Sequence, residues 1–571
     1  MSQTPAEDAP TPDTPAEDPA APADTLADTP ADTPAGTATD TATEALDPVV
    51  AAVAPGYEFA SKVLELGGLM IDAETPGNAP VRIPLSMLNR HGLVAGATGT
   101  GKTKTLQLLA EQLSTAGVPV FAADIKGDLS GLAVPGEGGE KITARAATVG
   151  QTWTATGFPV EFYALGGEGT GIPLRVTMSA FGPMLLSKVL DLNDTQTSSL
   201  GLIFHYADTH GLPLLDLADL RAVVAHLTSP EGKVDLKNLG GLSTATAGVI
   251  LRELVSFEAQ GAAAFFGEPE FNSADLLQLD PDGRGLISLL ELPNLQDRPA
   301  LFSTFLMWLL ADLFHDLPEV GDVDQPKLVF FFDEAHLLFK DASKAFLEQI
   351  AQTVRLIRSK GVGVFFVTQS PTDVPDDVLA QLGSRVQHQL RAHTPNDAKA
   401  LKATVNTYPV SAYDDLGRVI TSLGIGEAVV TVMNERGAPT PVAWTRLRAP
   451  ESLMGAADPA LMEQVVTASP RNATYATAVD RESAREMLAA RLEEGARKAE
   501  EDARIKELER EQRHERVAEK ARTKAPAPSR SRSSREPDGI VEQVVKSGAF
   551  KDFMRTAARE IARGMFKSGR R

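Results

Sequence analysis

The chain has 571 residues, which at about 100–200 residues per domain predicts two to four structural units and excludes a lone small module. Apolar residues make up 43% of the chain and charged residues 23%, the balance of a globular protein, so we expect most of the chain to bury a core. The absence of cysteine excludes disulfide frameworks, cysteine-ligated metal sites and thiol nucleophiles.

The formal net charge of −21 argues against a surface that coats nucleic acid or anionic lipid non-specifically, although local basic patches stay open. No stretch approaches the roughly 18 consecutive apolar residues of a membrane span. The N-terminus lacks the basic and apolar regions of a secretory signal. We therefore expect a cytoplasmic protein with no membrane partner.

Shifts in composition divide the chain into segments. We expect a disordered acidic tail (1–53), the P-loop part of an α/β core (54–178), an all-α insertion (179–271), the second part of the core (272–450), a helical extension (451–522), a linker (523–538) and a basic amphipathic helix (539–571). The tail is predicted because residues 1–61 carry 12 acidic residues and no Lys or Arg, a composition that buries too little apolar surface to offset the loss of chain entropy.

The C-terminal segments are rich in charge. Residues 480–522 carry 13 acidic and 12 basic residues, which predicts one long exposed helix with too few apolar positions for a coiled coil. Residues 523–571 carry 12 basic against 5 acidic residues. Their amphipathic pattern is typical of membrane-surface or nucleic-acid binding, but we favour docking on the acidic body of the same or a neighbouring subunit.

A glycine-rich loop lies between a predicted strand, at 91–95, and a predicted helix, at 105–113. Its expected phosphate-binding residues are Gly96, Ala97, Thr98, Gly99, Thr100, Gly101, Lys102, Thr103 and Lys104. Glycines allow backbone N–H groups to close around phosphate oxygens, and the helix N-terminus adds a favourable partial charge. We expect Lys102 to bind the β and γ phosphates of ATP and Thr103 to ligate Mg²⁺.

An acidic residue follows the next predicted strand, at 117–123. Asp124 belongs at the carboxyl end of that strand, the edge of an α/β sheet where ligands bind. Two interpretations stay open: Asp124 approaches the nucleotide or a coupling element, or it is an ordinary surface charge.

An acidic pair follows the continuous apolar run at 328–332, which is typical of a strand covered on both faces. We expect Asp333 to hold the Mg²⁺ shell and Glu334 to act as the general base toward the attacking water. His336 is expected to make only local hydrogen bonds.

Another buried strand is predicted at 361–368, and the polar residue Gln369 follows it. Gln369 is a candidate sensor of the γ phosphate or its water, although an ordinary role at the strand end is the alternative. The GTPase class is disfavoured because no Asn-Lys-x-Asp motif occurs where guanine recognition needs one.

Four arginines surround the Gln369 strand: Arg355, Arg358, Arg385 and Arg391. We expect at least one of Arg355, Arg358 and Arg385 to act as a finger in a neighbouring subunit's site, an effect worth about 10³–10⁵ in rate. Arg358 is the preferred catalytic candidate and Arg385 its nearest rival, and a solvated arginine is the alternative for each.

These motifs resemble the HerA/FtsK branch of P-loop ATPases. Its motifs correspond to residues 97–103, 331–336, 358–363 and 367–369, and residues 192–196, 318–322, 369–373 and 385–388 resemble the bacterial HerA-like helicase C-terminal family in particular. The resemblance spans about 57 to 445.

The resemblance implies a RecA-like core of the additional-strand, catalytic-Glu type, in which the Gln369 strand lies between the P-loop strand and the Asp333 strand. It also implies a ring of six subunits with sites between them. HerA proper has an N-terminal β-barrel that docks a nuclease, whereas about 35 ordered residues are expected in that place here. The resemblance therefore does not imply a nuclease partner for this chain.

The leading hypothesis is therefore a Mg²⁺-dependent ATPase that works as a hexameric DNA translocase or helicase-like motor. DNA as a partner depends on the resemblance alone, because the acidic body lends no independent support. The alternative is an ATP-regulated protein assembly or remodelling factor.

Overall fold

The computed structural model describes residues 47–522 except 73, 77–78, 237–239, 293–297, 322 and 341. Most of the expected acidic tail, the linker at 523–538 and the basic helix at 539–571 lie outside the described residues. Within the described part, the chain forms one mixed sheet of twelve strands with helices packed against it.

Continuous apolar runs form the centre of this sheet. Its strands are β1 Val63–Leu69, β2 Pro80–Pro84, β3 Gly92–Ala95, β4 Val120–Asp124, β5 Val160–Leu165, β6 Ile172–Leu174, β7 Ile287–Glu291, β8 Leu328–Phe332, β9 Val362–Thr368, β10 Ser384–Gln387, β11 Glu427–Thr431 and β12 Ala443–Leu447. The spatial order is β2-β1-β12-β11-β10-β3-β9-β8-β4-β7-β5-β6. Every residue of β3, β4, β7, β8 and β9 is buried, as a sheet covered on both faces requires.

Strand direction divides the sheet. The strands from β10 to β6 pair in parallel, and those from β10 back to β2 pair antiparallel. β9 lies between β3 and β8, which confirms the strand order implied by the resemblance. Ala95 pairs with Thr368, and Phe332 pairs with Phe366. The P-loop, Asp333 and Gln369 therefore leave the sheet at the same edge.

The helices that precede the second half of the core are α1 Pro48–Val53, α2 Lys102–Thr115, α3 Glu140–Thr148, α4 Met178–Val189, α5 Asp194–Thr209, α6 Leu217–Thr228, α7 Pro230–Asp235 and α8 Thr244–Ala259. Those that follow are α9 Pro299–Asp316, α10 His336–Phe339, α11 Lys344–Ile357, α12 Asp376–Leu379, α13 Pro395–Val405, α14 Leu416–Ser422, α15 Pro459–Ala468 and α16 Pro470–Tyr475. The five helices α4–α8 lie between β6 and β7, where the sequence predicts an all-α insertion.

The expected boundary of the acidic tail at residue 53 is wrong for its last residues, because 48–53 form α1. Asp47 caps this helix by accepting a hydrogen bond from Val49 N at 2.7 Å, and Pro48 occupies its first turn. Val50 and Val53 are buried in the main core. Apolar side chains three residues apart on one short helix therefore belong to the folded body.

The chain divides into two units, 1–481 and 482–571. In the described part of the second unit, α17 runs over Ala484–Arg522 as one helix of 39 residues, close to the predicted range of 480–522. Its N-terminal hydrogen bonds come from Ser483 rather than from Asp480, since Ser483 N donates to a Glu486 carboxylate oxygen at 2.9 Å. Among the described helices, none has the length and apolarity that crossing a bilayer requires.

Candidate nucleotide-binding site

The glycine loop connects the end of β3 to the first turn of α2, as the sequence predicts. Gly99 and Gly101 have φ values of +83° and +112°, which favour glycine. A Cβ added at Gly101 would lie 3.2 Å from Gly426 N. Gly426 N donates to Thr100 O at 3.1 Å and Ala97 N donates to Gln389 O at 2.8 Å, so neighbouring segments of the sheet hold the loop in place.

Lys102 is folded over this loop. Its Nζ donates to Gly96 O at 2.7 Å and to Ala97 O at 3.3 Å, and the residue is 6% exposed. Burial lowers the pKa of Lys102, while Glu334 opposes the shift. Lys102 is thus a buried cation at the phosphate loop, within electrostatic range of the acidic pair. Thr103, next in the helix, is half-buried, and Lys104 Nζ donates to Gln107 Oε1 at 3.2 Å.

A buried histidine lies beneath the loop. His388 Nε2 is 2.8 Å from Thr105 Oγ1, and a Cβ added at Gly96 would lie 2.4 Å from His388 Cβ. Burial, then the charge of Lys102, lowers the pKa of His388 to about 4. A neutral imidazole therefore supports the loop. His388 lies in the motif at 385–388 that resembles the family, but the sequence by itself assigned it no role.

Asp333 follows β8 directly and is 3% exposed. Its Oδ1 accepts a hydrogen bond from Glu334 N at 2.9 Å, whereas its Oδ2 is buried with no hydrogen-bond partner among the described residues. Burial raises the pKa of Asp333 to about 7, while Lys126 opposes the shift.

A buried carboxylate oxygen without a protein partner fits a hard divalent cation. No cluster of three His, Cys, Asp or Glu in the described chain is arranged to hold a metal by itself. Mg²⁺ in phosphate-binding sites is commonly held by one or two protein ligands together with phosphate oxygens and water. Thr103 and Asp333 are the residues predicted for that role.

Glu334 is held in an uncommon backbone conformation, with φ of +46°. The N–H of the next residue, Ala335, donates to Val367 O at 2.8 Å, and this hydrogen bond ties the turn to β9. A left-handed non-glycine residue costs about 1–3 kcal/mol and is found most often at functional sites. The turn at Glu334 therefore lies directly after Asp333, within the acidic pair.

The carboxylate of Glu334 is paired with a cation. Lys126 Nζ hydrogen-bonds to Glu334 Oε1, and His336 Nδ1 lies 3.2 Å from Oε2 without hydrogen-bond geometry. Burial by itself would raise the pKa of Glu334, but Lys126 and Lys102 outweigh it and lower the pKa below the ordinary value. Glu334 is therefore ionised at neutral pH, as a base must be.

The carboxylate of Asp124 stabilises the loop that contains Lys126. Asp124 is fully buried, and its carboxylate accepts hydrogen bonds from Gly127 N at 2.7 Å and Leu129 N at 2.8 Å. Burial raises the pKa of Asp124 to about 6. The contacts of Asp124 are thus with its own loop, which carries Lys126 to Glu334. Lys126 lies inside the charged run at 124–128, but the sequence by itself assigned it no role.

Gln369 is exposed at the end of β9 and lines a cavity of about 590 Å³ together with Thr98, His336 and Arg391. The turn after it is fixed by Asp373, whose Oδ2 accepts from Thr368 Oγ1 and from Ser370 N, both at 2.8 Å. Gln369 therefore shares a cavity with the start of the P-loop.

The structure brings a different arginine to the P-loop from the two that the sequence favoured. Arg391 Nη2 donates to Thr98 O at 3.4 Å. Arg358 lies at the amino end of β9, the opposite end from Gln369, where its charge acts on His91. Arg385 lies within β10 and donates to Thr407 Oγ1 at 2.5 Å, and Arg355 is exposed on α11. Action of Arg358 or Arg385 on a neighbouring subunit stays a prediction.

The chain is similar to several known proteins. It is 20% identical over 410 residues to the DNA double-strand break repair helicase HerA of Sulfolobus acidocaldarius, a match that covers 71% of this chain and 74% of that protein. Plasmid coupling protein TrwB in complex with ADPNP aligns with a TM-score of 0.45 and 17% identity over 70% of this chain and 100% of that one. VirB4 of Thermoanaerobacter pseudethanolicus aligns with a TM-score of 0.41 and 14% identity over 68% of this chain and 98% of that one.

The chain matches one protein family over most of its sequence. Residues 70–571 match the family described as Helicase HerA-like C-terminal. The chain belongs to this helicase HerA-like C-terminal family.

Proposed function

We propose that this protein is a Mg²⁺-dependent ATP hydrolase that works as a ring-forming motor. The observation that carries the proposal is the convergence of Lys102, Asp333 and Glu334 at one edge of the sheet, with Asp333 Oδ2 buried and unpartnered and Glu334 paired to Lys126. A buried cation on a glycine loop, a buried metal-seeking oxygen and an ionised carboxylate are the three groups that phosphoryl transfer to water needs.

In the proposed reaction, the loop N–H groups and Lys102 bind the β and γ phosphates, and Thr103 and Asp333 would hold Mg²⁺. The bound ion would neutralise charge on the phosphate oxygens. Glu334 accepts a proton from water as the water oxygen bonds to the γ phosphorus, and the bond from that phosphorus to the β–γ bridging oxygen breaks, leaving ADP and phosphate. Gln369 orients the water or the γ phosphate from the adjacent strand end.

DNA translocation by a hexameric ring is the finer part of the proposal. It is supported by membership of the HerA-like family and by similarity to a protein named as a DNA repair helicase. The net charge of −21 favours the second candidate, an ATP-regulated protein remodelling factor, because a DNA motor needs basic residues along its track.

Turnover of ATP with and without duplex or single-stranded DNA, combined with mass measurement in the presence of ATP, tests these functions. DNA-stimulated hydrolysis by a six-subunit species supports the DNA motor. Hydrolysis that DNA leaves unchanged supports the remodelling factor. Absence of hydrolysis with Mg²⁺ under all of these conditions, with and without DNA, contradicts the ATPase proposal itself.

A further inference from the structure

The two carboxylate oxygens of Glu334 have different surroundings. Oε1 accepts a hydrogen bond from Lys126 Nζ. Oε2 is buried, and no residue in the described part of the chain donates a hydrogen bond to it. A buried carboxylate oxygen is expected to have a donor, because it has lost its hydrogen bonds to water. The surroundings of Oε2 therefore require an explanation.

A second buried polar atom faces Oε2. His336 Nδ1 lies 3.2 Å from it, and Nδ1 is likewise buried without a hydrogen-bond partner among the described residues. The separation is that of a hydrogen bond, whereas the angle is not. Rotation of the imidazole about its Cβ–Cγ bond changes this angle at little cost, because that torsion has a broad energy profile. One small rotation would thus pair both atoms.

The lysines near Glu334 are engaged elsewhere. Lys126 is bound to Oε1, and Lys102 Nζ donates to backbone carbonyls of the P-loop. His336 is therefore the described side chain that faces Oε2 with an unpaired nitrogen.

The backbone around His336 keeps it beside Glu334. His336 is the first residue of α10, and Leu337 N donates to Glu334 O at 2.9 Å. The ring of Phe339, at the end of α10, packs against that of Phe366 in β9 with their centroids 5.6 Å apart. The turn at Glu334 and the anchored helix therefore hold the two side chains next to each other.

His336 also lies between Glu334 and an open cavity. Its side chain is 30% exposed, whereas that of Glu334 is 8% exposed. His336 lines the cavity of about 590 Å³ together with Thr98 and Gln369. The γ phosphate and the attacking water of the proposed reaction would lie in this cavity. A residue in this place can set the direction in which the base faces the water.

We propose that His336 is a positioning residue for the base: Nδ1 donates a hydrogen bond to Glu334 Oε2 and, with Lys126 on Oε1, holds the carboxylate in one orientation toward the cavity. A carboxylate held at both oxygens cannot rotate freely, and loss of such alignment is costly in rate. This inference depends on the proposed function, since it needs Glu334 to be the base. It gives a purpose to the local hydrogen bonds that the sequence predicts for His336.

Three substitutions at position 336 test the donor and its location. His336→Asn places an amide N–H close to the position of Nδ1, whereas His336→Gln places it close to that of Nε2 and His336→Leu supplies no donor. The Gln and Leu variants should lose about tenfold in kcat with ATP affinity within about twofold of wild type, whereas the Asn variant should keep most of kcat. Thermal unfolding checks that each variant is folded. The matched control is His205→Leu, which should hydrolyse ATP at the wild-type rate because His205 is exposed on α5.

A double-mutant cycle with Glu334→Gln separates a positioning role from a structural one. In that background His336→Leu should change the residual rate by less than about twofold, because His336 acts through a carboxylate that is already lost. Wild-type kcat in His336→Leu, an equal loss in all three variants, or a loss of about tenfold in both backgrounds overturns the positioning role and leaves the ATPase proposal intact. Absence of hydrolysis by the wild-type protein would overturn both proposals.

Discussion

Lys126 and Glu334 form an ion pair across 208 residues of sequence. Lys126 follows β4 and Glu334 follows β8, and these strands are neighbours in the sheet. The Glu334 side chain is 8% exposed, whereas that of Lys126 is 41% exposed. The pair therefore fixes both the direction and the ionisation of the proposed base from a separate loop.

Removal of Lys126 should change the pH dependence of hydrolysis. Because Lys126 lowers the pKa of Glu334, Lys126→Ala should move the acidic limb of the kcat–pH profile to higher pH and lower kcat more than ATP affinity. Lys126→Arg should preserve most of the wild-type profile. The control is Lys344→Ala, which removes an exposed ion pair with Glu348. An unshifted acidic limb in Lys126→Ala would show that the pair does not govern the base.

Loss of the P-loop cation should abolish tight nucleotide binding. Lys102 is the buried cation that contacts the loop carbonyls, so in Lys102→Ala the β and γ phosphates lose their direct positive partner. Calorimetry with ATP measures the effect. Equal affinity in the variant and the wild type would contradict the P-loop assignment.

Glu334→Gln should bind ATP yet hydrolyse it at least about 100-fold more slowly, because general-base assistance is typically worth 10²–10⁴. The amide is close in size to the carboxylate, so folding should be preserved. Single-turnover hydrolysis is the measurement. A rate near that of the wild type would assign the base to another residue.

Two N-terminal truncations should differ in stability. Deletion of 1–46 should leave the thermal midpoint and the ATPase rate unchanged, since the composition of that segment supplies no core. Deletion of 1–53 also removes Val50 and Val53, which are buried in the main core, and should lower the midpoint by a few degrees. Identical midpoints for the two truncations would show that α1 adds nothing to stability.

Mixed rings should separate an arginine that acts in trans from one that acts on its own chain. Arg358→Ala should bind ATP but lose turnover, and mixing it with Lys102→Ala should restore some hydrolysis, because an intact P-loop then meets an intact Arg358 from a neighbour. Arg391 contacts Thr98 of the same chain, so Arg391→Ala mixed with Lys102→Ala should recover nothing. No recovery with Arg358→Ala, in rings confirmed as mixed by mass, would exclude Arg358 as the trans residue.

The features that the sequence alone predicted are contiguous in the chain. The P-loop at 96–104 can be recognised because its glycines, its lysine and the following helix depend on local backbone geometry and hydrogen bonds. The buried strands that precede Asp333 and Gln369 can be recognised because a strand covered on both faces needs an unbroken apolar run. The helices of the insertion likewise follow from apolar spacing.

Tertiary structure decided which distant residues meet. The partner of Glu334 is Lys126, the arginine that contacts Thr98 is Arg391, and Gly426 contacts Thr100 of the P-loop. These contacts depend on strand order and register, which place side chains hundreds of residues apart at the same sheet edge. Local periodicity contains no information about that order, so only the folded sheet shows which charges and apolar groups surround the site.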